Sequence, residues 1–491
     1  MLTCRDLPGP AVLVGVFLST DGNVIEEVSL AEHDHHSGCN GGLGGTSVAF
    51  DGALFLAVFS RDGQVYGIRV TPSGDALDPA PGIPISMGGG SNFGPRVAFD
   101  GSGFLVVWNH HDDDYDIHGA QVSRGGAVSE SVIYAAPADQ MTAGVACGDE
   151  NCLVVFEDRQ YPATEPDWQI SGVRISPSGL VLDADGIIIS SAPGVQWSPA
   201  VTFAAGNFLV VWSDDRLDPS GPMWDFSIFG ARVSPDGVVL DGPPGSGGIA
   251  INTANTDSFG KGYPSASFDG IDYLVTWHVP IPREPGGIFG ARVSTGGALL
   301  DGPAGNLGIP LSKPKCFPCV DVFPELHFDG QKNLVAWHKS TEKQGLFKEV
   351  RGLWACRVDL SAVKTAFRSV CTAIDRRRRE AICTVRAGLR MTNLGYARAA
   401  PIWIELFLSD DPVLDSGDSL LSRILGPRVA SLSSRTIPLG ARTPRGTGPR
   451  YVLAEFGANP PELDCDGADN VVLLGRMSTG SRRAVGRVRF D

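Results

Sequence analysis

The phrase Pro95-Arg96-Val97-Ala98-Phe99-Asp100-Gly101, running on to Trp108, constrains this 491-residue chain most. A short apolar run meets an Asp-Gly pair, and a second apolar run ends on Trp108. Asp-Gly supplies the left-handed backbone of a tight hairpin, so the phrase encodes two antiparallel strands. It returns around Phe50, Cys147, Phe203, Phe268 and Phe328, at intervals of roughly 48–65 residues. Self-similarity at that period marks a propeller or solenoid, whose copies bury their faces against one another.

Four strand signals fill each copy. In the fourth they are Ala200–Phe203, Phe208–Trp212, Ile228–Ser234 and, after a Pro-Asp-Gly turn, Val238–Leu240. The third signal recurs almost letter for letter at Ile288–Ser294. Second strands such as Leu105-Val106-Val107-Trp108 are apolar at every position and need cover on both faces, which adjacent blades provide. No stretch sustains a 3.6-residue period, and 62 Gly with 35 Pro fit a turn-rich chain. The expected fold class is therefore all-β: a β-propeller followed, where the repeat stops after Val363, by an Ig-like β-sandwich. Six blades are expected, the last closed by N-terminal strands around Gly15–Asp21 and Val24–Val28; seven, one of them partial, is the alternative. The expected boundaries are 1–362 for the propeller, 363–385 for a linker or hairpin, and 386–491 for the sandwich.

The net charge of −15 is unevenly spread, with an excess of seven basic residues from Ala362 onward and −22 before it. An acidic propeller argues against nucleic acid as a partner. The basic part includes Arg376–Arg379 and the late Arg482, Arg483, Arg487 and Arg489, which read as a solvated face or a contact for acidic polymers. Cys147 and Cys152 flank a turn, and Cys371 and Cys383 flank the Arg run; local pairs of this kind fit disulfides in an oxidising compartment. Cys316 and Cys319 form a lone CxxC with no partner pair for zinc. No apolar run is long enough to span a bilayer. Secretion or the cell surface is the expected location, with the true start lying upstream or misplaced, since no signal-peptide pattern precedes the first repeat.

The turns from first to second and from third to fourth strand are expected to be short, and the connections from second to third and fourth to first vary in length. Function is therefore expected on the end where the variable loops emerge. That end collects Phe93, Trp168, Trp197, Trp224, Phe259, Tyr263 and Phe323, several of them just before Pro95, Pro199 and Pro264. These aromatics read either as ligand contacts or as packing between blades. The recurring Trp108, Trp212, Trp277 and Trp337 read as core. His278 and His338 each follow such a Trp, as Glu157 follows Phe156; alternation turns them to the other face, toward one another at the rim or into structural hydrogen bonds. The runs His33–His36 and His110–Asp116 are weak metal motifs, because adjacent residues cannot all face one ion. In the C-terminal part Asp410, Asp411, Asp415 and Asp418 crowd one loop; they are either a calcium site or Asx-type turns. No other cofactor is expected. G-x-S-x-G, P-loop and H-E-x-x-H motifs are missing, and no acid pair breaks the repeat as glycosidase chemistry demands.

Met391-Thr392-Asn393-Leu394-Gly395, Leu408-Ser409-Asp410-Asp411, Asp415-Ser416-Gly417-Asp418 and the late acidic turn around Asp466–Asn470 resemble the cell-adhesion-related domain found in bacteria, over about Arg386–Gly475. The repeats, over about Val12–Ala362, resemble those of secreted bacterial β-propeller-like proteins. The resemblance implies a surface or extracellular setting and no established activity. The leading expectation is a non-enzymatic binding or adhesion protein for protein or glycan. A polysaccharide hydrolase with acids in the propeller funnel, and a structural part of a surface assembly, are the alternatives.

Overall fold

The computed structural model describes residues 2–5, 11–18, 24–33, 45–159, 168–217, 226–245, 247–254, 262–279, 286–312, 320–328, 332–340, 347–355, 360–375, 380–393, 403–415, 417–426, 428–429, 433–444, 450–457 and 471–477. The protein is all-β, and it divides into two compact units, Met1–Trp354 and Ala355–Asp491.

The described residues of the first unit form seven antiparallel sheets, named A to G in chain order. Sheet A holds Leu2–Arg5, Ala11–Leu18 and Val24–His33. Sheet B runs Ser47–Phe50, Phe55–Arg61, Gln64–Val70 and Ile83–Pro84. Sheet C runs Ser91–Phe99, Gly103–His111, Tyr115–Ser123 and Val128–Tyr134; sheet D runs Asp139–Cys147, Cys152–Arg159, Trp168–Ile175 and Ile187–Ser190. Sheet E runs Gln196–Ala204, Asn207–Asp214, Ser227–Val233 and Ile249–Asn252; sheet F runs Gly262–Phe268, Asp272–Val279, Gly287–Ser294 and Ile309–Pro310. Sheet G holds Val320–Phe328, Asn333–Ser340 and Phe347–Ala355. In B to F the strands lie in sequence order, first to fourth.

Neighbouring sheets pack face to face, and a separate apolar core fills each interface from A–B to E–F. Alternation along the second strands explains their unbroken apolarity. Trp108 turns toward sheet B, whereas Leu105 and Val107 turn toward sheet D. The expected core role of the repeated aromatics holds: Trp108, Trp212 and Trp277 are fully buried, as are Phe59 and Phe156.

Two expectations change. The N-terminal strands do not complete sheet G among the described residues; they form sheet A, whose Leu13 and Leu30 pack on Ala57, Phe59 and Ile68 of sheet B. The fourth strand is not Val238–Leu240 but Ile249–Asn252. Val239 only bridges Val233, because the chain folds back so that Asp241 reaches Arg232. Arg232 donates to Asp241 through its backbone N–H, Nε and Nη2, and its Nη1 reaches Thr295 O of sheet F at 3.1 Å. The same staple joins Arg69 to Asp78 and Arg124 O, and Arg174 to Asp183 and Pro235 O. Arg292 and Asp301 form its local half. In sheets B, D, E and F the third-to-fourth connection, expected to be short, is therefore long but regular, built around this pair; irregular length lies at the other end.

In the second unit, Leu360–Asp375, Glu380–Asn393 and Ser433–Arg442 form one sheet. Ser419–Leu425, Trp403–Ser409, Tyr451–Gly457 and Val471–Arg476 form another. Each is antiparallel with alternating burial, Val385, Ala387 and Leu389 in one and Ile404, Leu406 and Leu408 in the other. Leu360–Asp375 and Glu380–Asn393, which hold the described residues of 363–385, pair antiparallel in the first of these sheets.

Candidate functional site

Each first strand of sheets C to G carries a β-bulge near its start. In C, E, F and G a proline stands in the bulge, and without an N–H it cannot donate to the ladder. The residue before it takes a left-handed backbone: Gly94 at φ 66°, Ser198 at 51°, Tyr263 at 51° and Phe323 at 54°. In sheets E, F and G its N–H reaches the preceding sheet, where a polar side chain accepts it. Ser198 N–H donates to Glu157 Oε1 at 2.8 Å, Tyr263 N–H to Ser213 Oγ at 3.2 Å, and Phe323 N–H to His278 Nδ1 at 3.5 Å. Asn109, Glu157, Ser213, His278 and His338 all occupy one register, opposite the residue that opens the bulge.

These latches hold a continuous run of rings across three sheets. Phe226 meets Trp197 at 5.2 Å between centroids, Trp197 meets Tyr263 at 5.1 Å, and Tyr263 meets Phe323 edge-on at 4.6 Å. His278 stacks on Tyr263 at 5.3 Å, and Phe323 reaches His338 at 6.4 Å. Trp197, Tyr263, Phe323 and His338 are half-buried, whereas Phe226 and His278 are buried. Glu157, 1% exposed, also pairs with Arg159 at 3.4 Å, and the Arg159 guanidinium lies 3.8 Å over the Trp168 ring. Burial, and then the charge of Glu157, raise the Tyr263 phenol. Burial lowers the His338 imidazole.

Of the residues singled out from sequence, the structure gathers Trp197, Tyr263, His278 and His338, and links Trp168 to them through Arg159 and Glu157. Phe93 stands apart on sheet C, edge-on to Tyr115 at 6.0 Å. Trp224 and Phe259 lie outside the described residues, as do Cys316, Cys319, Arg376–Arg379 and the last arginines. Sequence reasoning missed Phe226, which carries no repeat signal, and Arg159.

Among the described residues no group of three or more His, Cys, Asp or Glu side chains could hold a metal ion. The four aspartates of the second unit are engaged locally. Asp410 pairs with Arg450, Asp411 accepts from Val413 N–H, Asp415 from Gly417 N–H and Asp418 from Asp415 N–H. In the His110–Asp116 run, His110 donates through Nδ1–H to Asn92 Oδ1, 2.9 Å away, and stacks on His118 at 4.1 Å. No helix among the described residues is long and apolar enough to cross a membrane.

No family model and no curated protein matches the chain. Solved structures to which the chain is similar include a thermostable family-43 glycoside hydrolase, at 16% identity and a TM-score of 0.35, covering 58% of this chain and 99% of that one. An alpha-L-arabinofuranosidase from Lactobacillus brevis matches at 13% identity and 0.36, covering 55% and 95%. A putative TolB from Agrobacterium tumefaciens matches at 14% and 0.33, covering 57% and 82%. At such TM-scores the similarity assigns neither a reaction nor a substrate.

Proposed function

We propose that this protein binds glycan outside the cell, on the bulged ends of the first strands of sheets D to G. One observation carries the reading: the run of half-buried rings from Trp197 through Tyr263 and Phe323 to His338, held by latches between sheets. Rigid rings offer flat apolar faces to the C–H faces of sugars, and the polar groups beside them suit hydroxyls. The Cys147–Cys152 disulfide and the disulfide-bonded Cys383 support an oxidising compartment. The two antiparallel sheets of the second unit support an Ig-like module of the adhesion type. Seven blades, sheets A to G, are the arrangement this reading uses.

A second reading, polysaccharide hydrolysis, is favoured by Glu157, a carboxylate at a register where other sheets carry Asn, Ser or His. Glycosidic hydrolysis takes two carboxyl groups, and Glu157 is the one acid at that register among the described residues. Affinity electrophoresis through neutral and acidic polysaccharides, arabinan among them, together with reducing-end release, separates the two. Retardation without new reducing ends supports binding. Release lost in Glu157→Gln transfers the function to the hydrolase, and neither retardation nor release overturns both.

A further inference from the structure

The Arg–Asp staples carry a second repeated residue. A leucine precedes the aspartate of each: Leu77, Leu182, Leu240 and Leu300. Its N–H donates to the carbonyl of the staple arginine at 2.9–3.0 Å, so the four backbones are held alike. Any residue with an N–H makes that bond, and the leucine side chains turn outward, 40–47% exposed. The inward positions are Val181, Val239 and Leu299, which pack into the cores between sheets. Alternation places Leu180 and Val238, 63% and 56% exposed, on the outward side as well. Outward positions of a solvated strand are ordinarily polar, and here they are apolar in sheet after sheet.

These stretches adjoin one another. Val238 follows Gly237, where a Cβ would stand 3.0 Å from Arg174 and Ile187 of sheet D. Ala298 follows Gly297, where a Cβ would stand 3.0 Å from Arg232 and Asp241 of sheet E. The turn of each sheet thus sits against the staple of the sheet before it. Leu180, Leu182, Val238, Leu240, Ala298 and Leu300 follow one another as an apolar band across D, E and F, bordered by the exposed Asp185 and Asp236. A band of this extent marks a docking surface.

We infer that the band binds the second unit of another copy of this chain. Charge complementarity selects that occupant: the first unit carries −22 and the second, from Ala355 onward, +7. The second unit also presents an apolar strip. Trp403 and Leu425 are cross-strand partners, 43% and 57% exposed, on the face away from the buried Ile404 and Leu406, and Leu420, opposite Phe407, is 54% exposed. Within the strip Arg423 is matched by Glu405 and lies 5.8 Å over the Trp403 ring, and Arg428 beside it is exposed. Two unlike surfaces, one from each copy, leave a free band and a free strip at the ends, so the contact repeats head to tail instead of closing as a two-fold dimer.

Sedimentation velocity of the whole protein from about 1 to 100 μM tests this. Species larger than a dimer are expected, growing with concentration and dissociating as salt is raised from about 20 to 500 mM. Leu182→Ser with Leu240→Ser removes the band, and Leu420→Ser with Leu425→Ser removes the strip. All four side chains are exposed, so both proteins should keep the circular dichroism and thermal midpoint of the wild type. Each should be monomeric alone. Their equimolar mixture should give a dimer and nothing larger, because each supplies the surface that the other lacks. A wild type that stays monomeric throughout, association that salt leaves unchanged, a variant that still associates alone, or a mixture without the dimer overturns the inference.

Discussion

Tyr263 and Phe323 hold their rings at φ 51° and 54°, a region that costs a side chain with a Cβ on the order of 1 kcal/mol or more. Gly94 occupies the same place in sheet C without that strain. Tyr263→Gly should therefore be more stable than Tyr263→Ala by about 1 kcal/mol in urea denaturation, since both lose the ring and only Gly loses the strain. Sequence displayed the prolines at 199, 264 and 324 and the aromatics before them; it could not display the positive φ, which no Tyr or Phe advertises. His118 offers a second residue-scale test. Burial, and then the charge of His110, push its pKa from 6.5 down to about 4. The unfolded chain then binds the proton more readily, so this group's contribution to stability is complete above about pH 6.5 and lost as the pH falls toward 4. An NMR titration should give a His118 midpoint near 4, and a midpoint near 6.5 would contradict the half-buried stack.

At the scale of the strand and its connections, the Arg–Asp staple is the device that sequence reading passed over. An Arg stands nine residues before an Asp at 69 and 78, 174 and 183, 232 and 241, and 292 and 301, a spacing as regular as the Asp-Gly turns. Taking Val238–Leu240 as a strand followed from its β-branched residues. The structure spends that stretch on turning back, because Asp241 must meet Arg232 and leaves pairing to Ile249–Asn252. Sheet C tests the rule by exception. Gln121 replaces the Arg, its Nε2 has no partner, and the third and fourth strands join by a short turn. Arg232→Ala should cost about 2–3 kcal/mol in chemical denaturation, for it removes charge-assisted bonds within sheet E and the link to sheet F. Burial opposes ionisation of Asp78 and Asp183, but hydrogen bonds from Arg69 and Arg174 outweigh it and hold both carboxyls below 3.8. Their contribution is present above that pH and fades as acid drives the pH below it. Reduction of the Cys147–Cys152 bridge, which closes a short loop, should cost about 2 kcal/mol and leave the sheet cores assembled.

Across the whole molecule, the repeat phrase was enough to read an all-β chain of stacked sheets, because each copy is apolar on both faces and must be covered by its neighbours. The place of the N-terminal strands was not readable. Whether Ala11–Leu18 extends the last sheet or packs on sheet B depends on which face meets Phe59 and Ile68, a long-range choice that local pattern does not encode. The ring cluster has the same character: Trp197, Tyr263 and Phe323 are far apart in the chain, and only the packing of E, F and G brings them into line. Calorimetric titration of a retarding polysaccharide into the wild type, Tyr263→Gly and Phe323→Gly, with thermal midpoints recorded alongside, tests that alignment as a binding surface. Affinity should fall by about tenfold or more in each variant while the folded state persists. Equal affinity in all three proteins would contradict a glycan site on the bulged ends of these strands.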